Sequence, residues 1–559
     1  MSHFLLHLQA QGRNPVVWHQ GEPDFAVAAD ARMRLWSDGR QTYRGTLPGG
    51  GNYCLVGLLP QNRIETLASA LLSGTTNIQS LAPFGHFAGV VWNAADLYIF
   101  NDALGLRQCY YYLAEDLFVT SNPFWLRTQV DMEPDMAALG STWLTFNQMS
   151  TRSIFRDVQR LDSGEVVQFS LGQKAVKRHS VSKFVFSETN ISHIYFNNAV
   201  GRVLQEFAYP HLALSLSGGY DSRVMLGIIM NIPNLSWDSH TLGEKHSTDS
   251  RVVAQIAREF NIRNQHLNLP VPADSEFLAR TRQFVADSLL TKPATEVLQL
   301  TNYEGLSNRN ALVVDGGFGE IWRAGFLQRL EMFGETTVRN RDFAAMVKLT
   351  AAFKANIFNE DAMQMMQKGA ETDFAEIFAE NPPEAFDDLR DWYDFVALKT
   401  RLPNYYAPEQ ARMDHRFANL MPLAQPYLLK HLFAVPFYLR QQRRFLNDLL
   451  KTLQPVLTQI PLAKNDIIHY FYLTGMQTRI LTKIVRFLGM GHRSTIRDEA
   501  IIRHKKVLIN VLRDHHYPEL DRAKVKGLLN DLQTDNVRRY DELGWALTWI
   551  LFRQSLKAD

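Results

Sequence analysis

The sequence predicts a β-rich N-terminal region, an α/β region built on a parallel sheet, and a helical C-terminal region. Three observations carry this reading. Short aromatic and β-branched runs fill the chain up to about residue 180. Strand-like and helical runs alternate from about residue 200. Beyond about residue 340 the apolar residues recur with helical spacing. With 559 residues the chain is too long for one hydrophobic core, so two or three domains are expected.

In the first region "HFAGVVWN", "DLYIFND", "CYYYLAED" and "LFVTSN" read as strands separated by polar or turn residues. "RLDSGEVVQFSL" reads as a hairpin turning at Asp162-Ser163-Gly164. The polar stretch 181–200 marks a boundary. In the second region "LALSL", "LSWDSHTLG", "NQHLNLP" and "ALVVDGG" are strand-like, and "DSRVVAQIAREF" is helical. That alternation implies βαβ units and a parallel sheet. Helices are expected over "FAAMVKLTAAFKANIF", "PYLLKHLFAVPFYLRQQRRFLNDLLKTL" and "DELGWALTWILFRQSL".

Net charge is +2, from 59 Lys and Arg against 57 Asp and Glu, which gives no reason to expect a nucleic-acid partner. Cys54 and Cys109 are the only cysteines. Two thiols in so long a chain suggest a reducing compartment and exclude a cysteine-built metal cluster. The N-terminus lacks the pattern of a signal peptide, and no run of about 18 apolar residues exists to span a membrane. The expectation is a cytoplasmic protein that needs neither membrane nor nucleic acid.

The densest chemical signal is Ser217-Gly218-Gly219-Tyr220-Asp221-Ser222, where the "LALSL" strand hands over to a helix. Glycines let the backbone approach a ligand closely. The helix that follows aims its free N–H groups and positive dipole end at the loop. Such a junction suits phosphate. Asp221 repels phosphate directly but can hold a Mg²⁺ that bridges to it. The plain alternative is a structural turn with an acidic helix cap.

This loop resembles the SGGxDS pyrophosphate loop of ATP pyrophosphatases. Further stretches follow in the order found in asparagine synthetase B-type enzymes: "GHFAGVVWNAADLYIFNDALGLRQCYYYLAEDLFVTSNPFWL", "TRSIFRDVQRLDSGEVVQF", "HTLGEKHSTDSRVVAQIAREFNI" and "VVDGGFGEIWRAGF". The resemblance implies a class II glutaminase-like Ntn-type domain over 1–185. It implies an ATP-binding ligase domain over 195–559, with a helical C-terminal part. ATP and Mg²⁺ are the implied cofactors. Gly218, Gly219 and Ser222 would hold pyrophosphate through N–H and hydroxyl groups, and Ser217 would shape the loop. Leu214 and Gly243 would lie near the adenine pocket, with Asp249 capping the next helix. Gly316 and Gly317 form a second glycine loop. The family's second metal carboxylate falls at Glu320 or Asp315, because its aspartate position reads Gly319 here. Lys464, in "LTQIPLAKNDI", matches a lysine that stabilises charge on the phosphates during adenylation.

The glutaminase half departs from the family. Its nucleophile is an N-terminal cysteine, and position two here is Ser2. The substrate loop reads "VGLLPQN". The N-terminal domain is therefore expected to be a degenerate glutaminase kept as scaffold. The implied function is ATP-dependent amide formation through an acyl-adenylate. A carboxylate, on a small molecule or a precursor peptide, would be attacked by an amine, in some cases its own. β-Lactam synthetases and lasso-peptide cyclases are cysteine-less relatives of this kind, the latter working beside a protease. The basic stretch 479–506 would suit a peptide. True asparagine synthesis, a non-catalytic protein on the same fold, and a tRNA-modifying pyrophosphatase are the alternatives. Tyr220 and Arg223 differ from the usual "SGGLDSS".

Overall fold

The computed structural model describes residues 2–557 apart from 10–24, 27–32, 172–174, 180–183, 268–270, 299–302, 308, 465–466, 474, 488–495, 514–516 and 535–539. Part of the basic stretch 479–506 thus lies outside the described residues. Two six-stranded antiparallel sheets come first. One contains β1 (His3–Leu8), β2 (Phe25–Ala26), β3 (Met33–Asp38), β8 (Tyr110–Leu113), β9 (Leu117–Thr120) and β10 (Gln159–Arg160). The other contains β4 (Thr42–Thr46), β5 (Asn52–Leu58), β6 (His86–Trp92), β7 (Asp96–Asn101), β11 (Val166–Ser170) and β12 (Ala175–His179).

The sheets pack face to face, and alternation along each strand explains the layering. Ala88, Val90 and Trp92 of β6 point between the sheets with Phe4 and Leu6 of β1. Phe87 and Val91 point outward, under the helix Gln61–Leu72. Leu5 of β1 points the other way, into a core shared with the C-terminal helix Tyr540–Ser555. The strands are thus covered on both faces, which is why their sequences read as unbroken apolar runs. The segment read as a hairpin over 160–171 is not one. β10 pairs with β8, and β11 pairs with β7 and β12, so the turn at Asp162-Ser163-Gly164 carries the chain from one sheet to the other.

A five-stranded, wholly parallel sheet follows, in the order β15-β14-β13-β16-β17. These strands are β13 (Leu212–Ser215), β14 (Trp237–Leu242), β15 (Asn264–Leu267), β16 (Leu312–Val314) and β17 (Asn419–Leu420). Leu212, Leu214, Leu312 and Val314 face a core shared with the helices His193–Glu206, Asp221–Ile229 and Arg444–Leu453. Ala213 and Val313 face the opposite core. Strand order reverses between β13 and β16. The crevice beyond their C-terminal ends is where open sheets of this kind receive ligands.

The helical C-terminal region is more broken than the periodicity predicts. The run 426–453 divides into Pro426–Leu429, Phe437–Arg440, the turn Gln441–Arg443 and Arg444–Leu453. Pro436 supplies no N–H, and Gln442 and Arg443 take left-handed conformations at φ 56° and 66°. The run 343–358 is helical only over Phe343–Leu349. Beyond it, buried Lys354 donates its ammonium hydrogens to the carbonyls of Trp143 and Thr145, 3.2 and 2.8 Å away. A cation at the last carbonyls of the helix Gly140–Leu144 is well placed, and it draws this segment out of its own helix. Among the described residues no helix is long and apolar enough to cross a membrane.

Asp414 ties the antiparallel sheets to the parallel one. Its carboxylate is fully buried, 3.1 Å from Arg107 Nε and 3.1 Å from His86 Nε2. Asn419 of β17 donates to it at 2.6 Å. The Asp414 carbonyl accepts the Ser2 hydroxyl at 3.2 Å, and Arg107 donates to the Ser2 carbonyl at 2.9 Å.

Two stability predictions follow from these buried charges. Asp414→Ala strands the Arg107 guanidinium without its acid and should cost about 3–5 kcal/mol in urea unfolding. Burial also holds the Lys354 ammonium down to about 7 from its ordinary 10.5. The folded state then binds fewer protons than the unfolded state between those values, so this group makes stability rise with pH there. Lys354→Met should flatten that rise in urea midpoints collected from pH 7 to pH 10.

Candidate functional site

The loop Ser217–Ser222 leaves β13 at the switch point and enters the helix Asp221–Ile229. The Ser222 hydroxyl lies 2.9 Å from that of Ser217 and accepts the Ser217 N–H at 3.2 Å. Gly219 N–H donates to Ser217 Oγ at 3.2 Å. Gly218 N–H donates to Asp249 Oδ1 at 2.7 Å. Asp249 is therefore not the cap of its helix. Ser247 caps it, accepting the Ser250 N–H, while Asp249 holds the loop.

The glycines serve close approach. The Gly218 carbonyl accepts from Ala463 N–H at 2.9 Å, and a Cβ on Gly218 would stand 2.7 Å from the Ala463 Cβ. Ala463 lies in β18 (Leu462–Lys464), which pairs with β19 (Ile467–His469). This short hairpin has no counterpart in the sequence reading, and it carries the exposed Lys464 to the loop.

The second glycine loop meets the first head on. A Cβ on Gly316 would lie 2.6 Å from the Asp221 carbonyl carbon, and one on Gly319 would lie 2.8 Å from the Asp221 carboxylate. An aspartate at 319 has no room here. Gly317 N–H donates to Asp315 Oδ1 at 2.6 Å. Desolvation pushes the Asp315 carboxyl up to about 7; the Gly317 N–H opposes this, and Glu409 and Glu320 add to it. Desolvation also raises Glu320, reinforced by Asp221 and opposed by Arg323.

The expected metal carboxylate, Asp221, instead holds a guanidinium. Arg323 Nε donates to Asp221 Oδ1 at 3.0 Å and its terminal nitrogen to Oδ2 at 2.9 Å, a two-pronged pair. The same nitrogen lies 3.9 Å from Glu320. Among the described residues no three His, Cys, Asp or Glu side chains are grouped to hold a metal ion. Of the acids expected to bind Mg²⁺, Asp221 has both oxygens engaged by Arg323, and it forms no three-acid group with Glu320 and Asp315 that would fit the ion in this arrangement.

The two unusual loop residues have clear tasks. Tyr220 donates its hydroxyl to Asn447 at 2.7 Å, and its ring lies under the guanidinium groups of Arg443 and Arg323, 4.9 and 6.0 Å from its centre. Arg223 is fully buried and donates to the carbonyls of Leu457, Ile460 and Pro461 at 3.0, 2.6 and 2.7 Å. It anchors the turn that leads into β18. Leu214 is wholly buried in the sheet core, so the adenine contact expected of 214–218 rests on backbone groups and not on this side chain. Gly243 takes φ 105° at the end of β14, and the space beside it is open.

The expected nucleophile position is closed. Ser2 is wholly buried, and its hydroxyl also accepts the Gln41 N–H at 2.9 Å. Cys54 and Cys109 are both fully buried, and burial drives the Cys109 thiol far above its ordinary range.

No protein-family model matches the chain, and no curated protein matches it. Solved structures similar to it include the allosteric regulatory enzyme of purine biosynthesis, at 10% identity and TM-score 0.20, covering 49% of this chain and 76% of that one. Another is glutamine phosphoribosylpyrophosphate amidotransferase from B. subtilis complexed with ADP and GMP, at 11% identity and TM-score 0.19, covering 63% and 74%. Likeness at that level carries no argument about the site.

The close approach of the loops is directly testable. Gly316→Ala forces a methyl against backbone and should lower stability by about 1–3 kcal/mol. Gly219→Ala, whose added carbon meets only the Ser217 hydroxyl at 3.1 Å, should stay within about 1 kcal/mol of the parent in the same thermal melts.

Proposed function

We propose that this chain is an ATP-dependent carbon–nitrogen ligase of the asparagine synthetase type. The observation that carries the reading is the SGGYDS loop at the switch point of a parallel sheet, facing a second glycine loop. In the proposed reaction a substrate carboxylate oxygen attacks the α-phosphorus of ATP. The α–β bridging bond breaks, and its electron pair leaves with pyrophosphate. An amine then attacks the acyl carbon, AMP departs with the C–O bonding pair, and the amine loses a proton. In this reading Lys464 and the arginines around Tyr220 supply cations to the charge that builds on the phosphates.

The buried Ser2 argues that the amine does not come from glutamine hydrolysis in this chain. Ammonia, a partner, or the acylated molecule itself would supply it. Both small-molecule amidation and peptide cyclisation fit, the latter with a precursor peptide and a partner protease.

A second reading, a non-catalytic protein on this fold, is favoured by one pair of facts. The Gly218 N–H is taken by Asp249, and the Asp221 carboxylate by Arg323. Exchange of labelled pyrophosphate into ATP, run with a panel of carboxylic acids, separates the two. A ligase gives acid-dependent exchange, and Lys464→Ala should lower it about 100-fold. ATP binding without exchange for any acid would favour the non-catalytic protein.

A further inference from the structure

We propose that Arg323 and Arg443 together seat the phosphate groups of the ligand without a divalent metal; for a nucleotide ligand, this rests on the reading above. Arg323 directs two of its nitrogens at Asp221, and its third carries no hydrogen bond or ion pair among the described residues. Arg443 makes no hydrogen bond or ion pair there; the Tyr220 ring lies beneath it, and Asp221 attracts it from beyond ion-pair distance. The turns that carry the two arginines, Gly319–Arg323 and Gln441–Arg443, pack against each other.

The two guanidinium groups repel. Desolvation and then Arg323 hold Arg443 below the ordinary arginine range, and Tyr220 and Asp221 oppose this only in part. Two guanidinium groups that share a single carboxylate, Asp221, in a half-buried place are short of negative charge, which an arriving anion would supply. The chain nevertheless holds Arg443 there on two successive left-handed, non-glycine residues, Gln442 and Arg443. His469 adds to the pattern: it is 3% exposed, its Nε2 has no hydrogen-bond partner, and Arg443, Lys464 and Arg223 all act on it electrostatically. So many cations around one loop suit a polyphosphate better than a single carboxylate. Guanidinium forks match phosphate oxygens in pairs. The charge that a metal would bring is thus supplied by arginine, and Asp221 orients Arg323 instead of a metal ion.

The test is calorimetric titration of the full chain with pyrophosphate and, separately, with ATP, in EDTA and in excess Mg²⁺. Both should bind in EDTA. Arg443→Gln should weaken that binding at least about tenfold, and Arg443→Lys should restore part of it. Thermal melts verify that each variant is folded. Pyrophosphate binding through Arg443 without ATP binding would uphold the anion seat and remove the nucleotide. Binding that requires Mg²⁺ and ignores Arg443→Gln would overturn the inference and leave the nucleotide reading standing. Absence of binding by either ligand in EDTA, with both folded, would also overturn it.

Discussion

The architecture depends on one fully buried carboxylate, Asp414, and the groups that hold it. A buried ion is tolerated only when its partners are held in good geometry. Here the partners come from distant parts of the chain: His86 from one antiparallel sheet, Arg107 from the turn after β7, and Asn419 from the edge of the parallel sheet. Arg107 is itself fixed by Asp102, whose carboxylate accepts the N–H groups of Phe87, Leu104, Leu106 and Arg107. The "NDALGLR" stretch is therefore a rigid turn wrapped around an acid, and it presents a guanidinium to a second acid. Ser2 is buried because it belongs to this network. The resembled family carries a nucleophile at this position; here the residue is a structural contact.

At the other end of the sheet the logic is steric before it is electrostatic. Two loops meet at distances that only glycine permits on one side, and Asp221 stands on the other. With Gly319 in contact, the nearest available cation for Asp221 is Arg323, two residues past Ile321 on the same turn. An arginine is always charged and is more weakly hydrated than a metal ion, so it can stay in a half-buried cleft that a hydrated divalent cation enters reluctantly.

Much of this was legible. The strands around Val90, Ile99 and Leu214 were readable because burial on both faces leaves dense apolar runs. The glycine loop was readable because strand, turn and helix patterns change within a few residues. What was missed has physical causes. β17 has two residues and no periodicity to detect. The β18–β19 hairpin is held by Arg223 reaching carbonyls more than two hundred positions away, a contact that leaves only an odd arginine in "SGGYDSR" as its trace. The 160–171 segment looked like a hairpin because turn chemistry at Gly164 is local, while the choice of sheet for each arm is not. Asp249 looks like a cap because helix starts favour acids, yet in the structure Ser247, two positions earlier, takes that place. The arginine of "EIWRAG" stands three positions after Glu320, spacing that signals a shared face. Its true partner, Asp221, is a tertiary neighbour.

The two sulfurs offer something different. Cys54 and Cys109 both lie in the apolar layer between the antiparallel sheets. A thiol reagent in water reaches them only after the sheets separate. Their rate of alkylation is therefore a built-in clock for opening of the sandwich, readable by mass without any engineered label and blind to events at the C-terminal edge of the parallel sheet.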